Sequence, residues 1–305
     1  MREDWPSVSV VVPVHNSEDT IGACLESLFN LDYPKDKLEI IVVDDSTDRT
    51  PEIVKRFKVH HIRFGKRVGI GYARKIGVEE ATGELAASTD SDCCADPNWL
   101  KELIKHFERP EVGGVGGGVI LHLQDKMSKY IGYLGFPAGG LIGYETLFSM
   151  TKNKELERLS TANAIFRRKV ILDVGNFNSS FFYGGEDVNL SLRIAEQYKL
   201  IFEPKAIVHH YESRNTLTGF IKWHIRRGAA YHSIHRRKYK VGRTLGQKFR
   251  HYLKLLLTGN SPLREVSKKD NEIYYPVLLL LASIMIFYTG LGYIIAFLLG
   301  EAKVH

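Results

Sequence analysis

Cysteine is scarce in this chain: Cys24, Cys93 and Cys94 are the three thiols among 305 residues. That count and spacing exclude a disulfide framework and a cysteine-rich zinc module, and suit a reducing compartment. Acid is missing from one long stretch, since no Asp or Glu lies between Ser213 and Arg264, where thirteen Lys and Arg residues do. Charge of either sign is missing from another, Ile273 to Gly300. The net charge of +7 is therefore local, because residues 1–212 hold 26 basic and 31 acidic residues. A uniformly basic nucleic-acid-binding surface is excluded by that partition, and the basic tract adjoins an apolar run instead.

The apolar run after Pro276 is long enough to be read on its own. VLLLLASIMIFYTGLGYIIAFLL would extend roughly 35 Å as a helix, against a bilayer core of about 30 Å. It is expected to span a membrane once. Basic residues on its N-terminal side place the preceding domain in the cytosol by the positive-inside tendency. No secretory leader is expected ahead of the first strand. Leu245, Phe249, Leu253 and Leu256 recur at helical spacing among Lys248, Arg250 and Lys254. Such a helix lies in the headgroup plane of an anionic leaflet, so membrane lipids are expected partners and nucleic acid is not.

The N-terminal two thirds read as an α/β domain. Ser7 to Val12, Leu38 to Val43 and Val59 to Phe64 are short β-branched runs suited to strands buried on both faces, the first of them stopped by Pro13. Helical signals alternate with them at Ser17-Glu18-Asp19, at Thr50-Pro51-Glu52 and at Asp96-Pro97 before Trp99 to Phe107. The alternation predicts a mostly parallel sheet with right-handed crossovers. The domain organisation expected is a catalytic α/β unit over 1–212, a basic membrane-interface segment over 213–272 and a transmembrane helix over 273–300.

Acidic clusters finish these runs. Asp44-Asp45 closes Ile40 to Val43, Asp90-Ser91-Asp92 closes Leu85 to Thr89, and Gly184-Gly185-Glu186-Asp187 precedes a helical pattern. Carboxylates at the carboxyl ends of neighbouring strands meet in one crevice, the ligand position of open α/β sheets. They repel one another unless a cation joins them. Two carboxylates one residue apart suit one hard cation with sites left for diphosphate oxygens, which is the chemistry of Mn2+ or Mg2+. Cys93-Cys94, abutting that turn, read as small wall residues.

These motifs occur in a fixed order. Pro13-Val14-His15-Asn16, Asp44 to Thr50, Gly69 to Gly83, Thr89 to Asp92, Ser160 to Arg168, Gly175-Asn176-Phe177 and Gly185 to Leu190 succeed one another along the chain. The series resembles family 2 glycosyltransferases with the GT-A fold and covers most of residues 7–212. The resemblance implies a sheet flanked by helices that binds a nucleotide-sugar donor, UDP- or GDP-linked. It implies donor contacts from Pro13, Asp45 and Asp90, metal contacts from Asp90 and Asp92, and Asp187 as the catalytic base. Glu186 would tune that base or hydrogen-bond the acceptor. In related enzymes a histidine after a P-x-A-x-V-x stretch completes the metal shell, here His210, with His209 in reserve.

Further donor contacts are expected from Arg74, in the helix after the glycines, and from Arg226 or Arg227. The processive members carry Q-x-x-R-W on an interfacial helix, whereas this chain reads Lys222-Trp223-His224-Ile225-Arg226-Arg227-Gly228. A single hexosyl transfer is therefore expected rather than polymer synthesis. The acceptor would be a hydroxyl on a membrane- or lipid-linked molecule or glycan, with inversion at the anomeric carbon. Two alternatives stay open: a polyprenyl-phosphate glycosyltransferase, and a non-catalytic membrane-attached nucleotide-sugar-binding protein.

Overall fold

The computed structural model describes residues 5–123, 125–137, 139–142, 150–151, 153–211, 216–236 and 270–299. The helical pattern through Leu245, Phe249, Leu253 and Leu256, and most of the basic tract, lie outside the described residues. The chain divides into two compact units, one of residues 1–122 and 148–212, the other of 123–147 and 213–305.

In the first unit, β1 (Val8–Val14), β2 (Leu38–Asp44), β3 (His60–Arg63) and β4 (Leu85–Thr89) form parallel pairs in the order β3-β2-β1-β4. Helices α1 (Ile21–Phe29), α2 (Thr50–Val54) and α3 (Ile70–Glu80) connect them. The β1 and β2 runs do what their apolarity requires, whereas β3, expected to be buried on both faces, lies at the sheet edge and is exposed or half-exposed along its length. Val8, Val10, Val12 and Val14 enter the largest core with Leu25, Leu28, Trp99 and Leu103. On the opposite face Ile41 and Val43 pack with Ala73 and Ala81. β1 runs through Pro13 rather than stopping there, pairing Pro13 with Val43. Its ladder to β4 ends at Val11, so one flank of β1 is already open where the proline N–H is missing.

Beyond β4 the sheet becomes mixed. β5 (Cys93–Ala95), α4 (Trp99–Ile104), β6 (Val112–Leu121), β7 (Glu155–Leu156), β8 (Asn163–Arg167), α6 (Arg168–Asp173), α7 (Glu186–Ile194) and β9 (Lys199–His210) complete the unit, with α5 (Lys126–Tyr133) between β6 and β7. The order continues β4-β8-β6-β9-β5, with β8 antiparallel to both β4 and β6, and β6 parallel to β9. The βαβ alternation that predicts parallel pairing ends with β4. β8 then enters between β4 and β6 in the opposite direction, so beyond β4 the sheet keeps one parallel pair, β6 with β9, among antiparallel ones.

The second unit contains α5, α8 (Leu217–Arg236) and α9 (Tyr275–Leu299). Tyr130, Ile131 and Leu134 bury against Phe220, Leu278, Leu281, Ala282 and Met285. Lys129 bonds Asp270 at 2.8 Å and Glu272 at 2.9 Å, tying α5 to the turn before α9. α9 has mean hydropathy 2.1 and is long and apolar enough to cross a membrane.

Candidate active site

Parallel register brings the ends of β1 and β2 together. Val14 pairs with Asp44, so the next residues, His15 and Asp45, are also neighbours. His15 Nδ1 lies 2.8 Å from Asp45 Oδ1, while Asp45 Oδ2 accepts the backbone N–H of Val68 at 2.7 Å and of Gly69 at 3.2 Å. Asp44 is spent on the scaffold, accepting Ser46 N–H at 2.8 Å and contacting His61 Nε2 at 2.9 Å. Pro13 is buried in β1, two residues before His15.

The second cluster forms around a turn. After β4 the chain reverses at Asp90-Ser91-Asp92, closed by Cys93 N–H donating to Asp90 O at 3.1 Å. Ser91 is buried and its hydroxyl meets Ser17 Oγ at 2.8 Å, which leaves the two flanking aspartates half-exposed. β5 then pairs antiparallel with the end of β9, setting Cys93 opposite His210. His210 is buried, with Nε2 3.6 Å from Asp92 Oδ1. One ligand atom each from Asp90, Asp92, Cys93 and His210 fall within 4.8 Å of one another.

The neighbouring histidine is engaged elsewhere. Alternation along β9 separates His209 from His210. His209 Nε2 meets Asp96 Oδ1 at 2.9 Å and its Nδ1 meets His122 Nε2 at 2.8 Å. Of the two candidates, His210 is the one beside the aspartates.

The third motif starts α7. Gly184 and Gly185 adopt φ of 125° and 95°, left-handed values that a side chain would strain, and they turn the chain so that Glu186 and Asp187 occupy the first turn. Carboxylates are favoured there by the helix dipole. Asp187 Oδ1 accepts Val188 N–H at 2.7 Å and the side chain is half-exposed.

Arg74 joins the second motif to the third. From the first turns of α3 its Nη2 donates to Asp90 Oδ1 at 2.5 Å, its Nη1 to Glu186 Oε1, and its Nε to Ser88 Oγ at 3.3 Å. Burial would lower the Arg74 pKa, but the carboxylates of Glu186, Asp90 and Asp187 outweigh it and raise it. Burial pushes Glu186 up to about 7, Arg74 opposing and Asp187 and Asp90 adding to the rise. Glu186 Oε2 and the side-chain amide of Asn189, one turn on, are buried without a hydrogen-bond partner among the described residues.

Arg226 and Arg227 belong to α8, in the second unit. The Arg227 guanidinium lies over Phe136 at 4.6 Å, Trp223 at 5.1 Å and Tyr231 at 5.4 Å, and donates to Tyr231 Oη at 3.1 Å.

The first unit thus brings Asp90, Asp92, His210, Arg74 and Glu186 into one connected group, with Asp187 adjoining. The sequence motifs assign no site role to His15, Cys93 or Asn189. His15 was readable from the β1/β2 register once both strand ends were known. Cys93 had no such signal, because its place opposite His210 depends on a pairing between distant segments. The donor set fits a divalent cation of the manganese or magnesium kind: two carboxylate oxygens and an imidazole nitrogen. Burial, then Asp92 and Asp90, push the Cys93 thiol well above its usual range.

Comparison with known proteins agrees with this geometry. The Glycosyl transferase family 2 profile matches residues 9–175, more than half of the chain. Glycosyltransferase AglE of Haloferax volcanii is 29% identical over 222 residues, spanning 69% of this chain and 68% of that protein. The Methanococcus voltae dolichyl N-acetyl-alpha-D-glucosaminyl phosphate 3-beta-D-2,3-diacetamido-2,3-dideoxy-beta-D-glucuronosyltransferase is 28% identical over 239 residues, 73% of this chain and 72% of its own. Among solved structures, mannosyltransferase PcManGT from Pyrobaculum calidifontis, in complex with GDP-Man and Mn2+, superposes with a TM-score of 0.57 at 21% identity, covering 99% of this chain and 79% of that one. Motif order, sheet topology and these similarities converge, and the chain belongs to glycosyl transferase family 2 as a glycosyltransferase of the GT-A fold.

Proposed function

We propose that this enzyme transfers one hexosyl residue from a UDP- or GDP-linked donor to a hydroxyl of a lipid-linked or glycan acceptor at a membrane, with inversion and with a divalent cation. The observation that carries the reading is Arg74, whose guanidinium holds Asp90 of the D-S-D turn and Glu186 of the E-D motif at once. The shared guanidinium ties the D-S-D turn to the first turn of α7, beside the proposed base Asp187.

Each residue then has a task. Asp45, oriented by His15 and two backbone N–H groups, presents its remaining lone pairs to the nucleobase, and Pro13 sets the strand end that carries His15. Asp90, Asp92 and His210 would hold Mn2+ or Mg2+, which when bound neutralises the departing diphosphate as a Lewis acid. Asp187, half-exposed at the start of α7, takes the proton from the acceptor hydroxyl on the face of the sugar opposite the leaving group. Glu186, buried against Arg74 with Oε2 unpaired among the described residues, would tune that base or hydrogen-bond the acceptor. The assignment of Arg226 and Arg227 to the diphosphate rests on sequence order alone.

A hydroxyl acceptor is supported by the E-D motif and by the Methanococcus voltae relative, whose name gives a dolichyl-phosphate-linked sugar as acceptor. Membrane attachment is supported by α9, and a cytosolic catalytic unit by the basic tract before it. On this reading 1–212 is the catalytic region, 213–272 the interface and 273–300 the span.

The test is transfer from radiolabelled UDP- and GDP-sugars by purified protein with Mn2+ or Mg2+. Dolichyl-phosphate-linked monosaccharide and bare dolichyl phosphate are offered as separate acceptors. Label on the first alone is expected. Label on bare dolichyl phosphate would move the protein to the polyprenyl-phosphate class.

A further inference from the structure

We propose that Cys93 is a ligand of the cation site, giving it a sulfur member that accepts thiophilic divalent ions such as Co2+, Zn2+ and Cd2+ in preference to Mg2+. This rests on reading Asp90, Asp92 and His210 as the cation site. The geometry comes from two backbone features. The turn hydrogen bond from Cys93 N–H to Asp90 O fixes Cys93 against the aspartates, and the β5/β9 pairing sets it opposite His210. Cys93 Sγ is 3.7 Å from Asp92 Oδ1, and the four ligand atoms lie within 4.8 Å of one another. With bonds of about 2.0–2.3 Å an ion draws its ligand atoms to within about 4 Å of one another, so small side-chain rotations would close this set around one ion.

The other two thiols are placed differently. Cys94 follows on the same strand, opposite His209, so its side chain leaves from the other face of the sheet. Cys24 Sγ faces the backbone oxygen of Asp90 at 3.5 Å and is outside the four-residue group.

The chemistry of the set decides its preference. Mg2+ demands six oxygen ligands in near-ideal octahedral geometry and sheds its water reluctantly. Half of this set is a buried imidazole and a buried thiol. Two carboxylates, one nitrogen and one sulfur suit borderline and softer ions, which take mixed sets at four-coordination. On binding such an ion the S–H bond breaks, the Sγ–metal bond forms and the proton leaves to solvent through the half-exposed aspartates, with no change of oxidation state. Mn2+ would use the aspartates and His210, and a thiophilic ion would compete for the same place.

The experiment is titration of the purified full-length protein with Co2+, with and without UDP or GDP, followed by absorption spectroscopy and calorimetry. A sulfur-to-cobalt charge-transfer band that saturates at one ion per chain is expected. Cys93→Ser should remove the band while Co2+ still binds, and should weaken Cd2+ binding about tenfold or more. Cys24→Ser and Cys94→Ser should keep it. Wild-type protein that binds Co2+ without a sulfur band overturns the proposal even if the Cys93 variant fails to fold, as does a band that survives Cys93→Ser. Parallel Mn2+ titrations separate the two levels. Mn2+ binding that Asp92→Asn abolishes, with no cobalt–sulfur band, removes Cys93 alone. Mn2+ and Co2+ binding that Asp92→Asn leaves unchanged removes the cation site itself, and Cys93 with it.

Discussion

Arg74 and Glu186 form an ion pair in which each side chain is only 2% exposed, and the same guanidinium reaches out to the half-exposed Asp90. α3 and α7 are more than a hundred residues apart in sequence, yet this one cation fixes the first turns of both. A buried charge pair of this kind contributes little net stability over apolar packing, but breaking it leaves a charge stranded. Its use here is placement, because it sets the D-S-D turn and the E-D motif in one frame.

The pair makes stability depend on pH in a defined direction. Burial raises Glu186 from 4.5 unfolded to about 7 folded, so the folded state holds that proton more tightly. Its contribution is complete below about 4.5 and is lost as pH rises through about 7. Glu186→Gln removes this dependence. Urea midpoints at pH 5 and pH 8 should show wild type losing ground to the Gln variant at the higher pH. Parallel curves would mean that the Glu186 carboxyl does not titrate in this window.

At pH 8 and above Arg74→Ala should cost up to about 3–5 kcal/mol in chemical unfolding, since it leaves the buried Glu186 carboxylate without its partner, and less at pH 5, where that carboxyl is protonated. Arg74→Lys should recover only part of this, because a single ammonium cannot span Glu186, Asp90 and Ser88 as the planar fork does. A Lys variant equal to wild type in both stability and transfer would show that charge alone suffices.

Asp92→Asn tests the cation site with little effect on packing, since Asp92 is half-exposed at a turn. Transfer should fall to background, Mn2+ binding by calorimetry should vanish and thermal stability should stay close to wild type. Chelation of wild-type enzyme should reproduce the loss, and added Mn2+ should restore it. Near-normal turnover by Asp92→Asn across a Mn2+ titration would sink the assignment.

Sequence range decides how much of this was legible beforehand. β1, β2 and β3 are readable because a parallel βαβ unit needs only local β-branched runs, although Thr50 is not the cap expected there: α2 begins at Thr50, after Arg49, and Thr50 N–H donates to Asp48 Oδ1 at 3.0 Å. The D-S-D turn and the E-D motif were readable as strings that end apolar runs. The partners of those strings were not. Arg74 looks like any helix arginine until α7 arrives from far along the chain, and Cys93 looks like a wall residue until β9 pairs with β5. The P-x-A-x-V-x stretch already favours His210 over His209, and the pairing of Cys93 with His210 sets that histidine beside Asp92. The same limit applies to residues 123–133, which precede β7 and β8 in sequence yet belong to the unit of α8 and α9.

Asp187→Asn keeps the helix-start hydrogen bond in reach while removing the proton acceptor. Transfer should drop by ~10²-fold or more, the usual contribution of a positioned general base. Donor affinity, measured by calorimetry with UDP- and GDP-sugars, should be nearly unchanged. A parallel loss of donor binding and rate would reassign Asp187 to the donor side of the site.

Deleting residues 273–305 should not release a soluble enzyme, although the span reads as a separable anchor in the sequence. One face of α9, with Leu278, Leu281, Ala282 and Met285, is buried against Tyr130, Ile131, Leu134 and Phe220. α8 meets α9 backbone to backbone: a Cβ at Gly228 would collide with the carbonyl oxygen of Thr289, and one at Gly292 with that of Ile225. His224 Nδ1 adds a contact to Thr289 Oγ1 at 3.1 Å. Removing α9 uncovers this apolar face on α5 and α8, so the shortened chain should aggregate or stay bound to detergent on size-exclusion chromatography. Gly292→Leu in the full chain should lower the melting temperature in detergent, with overpacking worth about 1–3 kcal/mol. A monodisperse, detergent-free truncated chain with full donor binding would show that α9 serves only as an anchor and that α5 and α8 close over their own core without it.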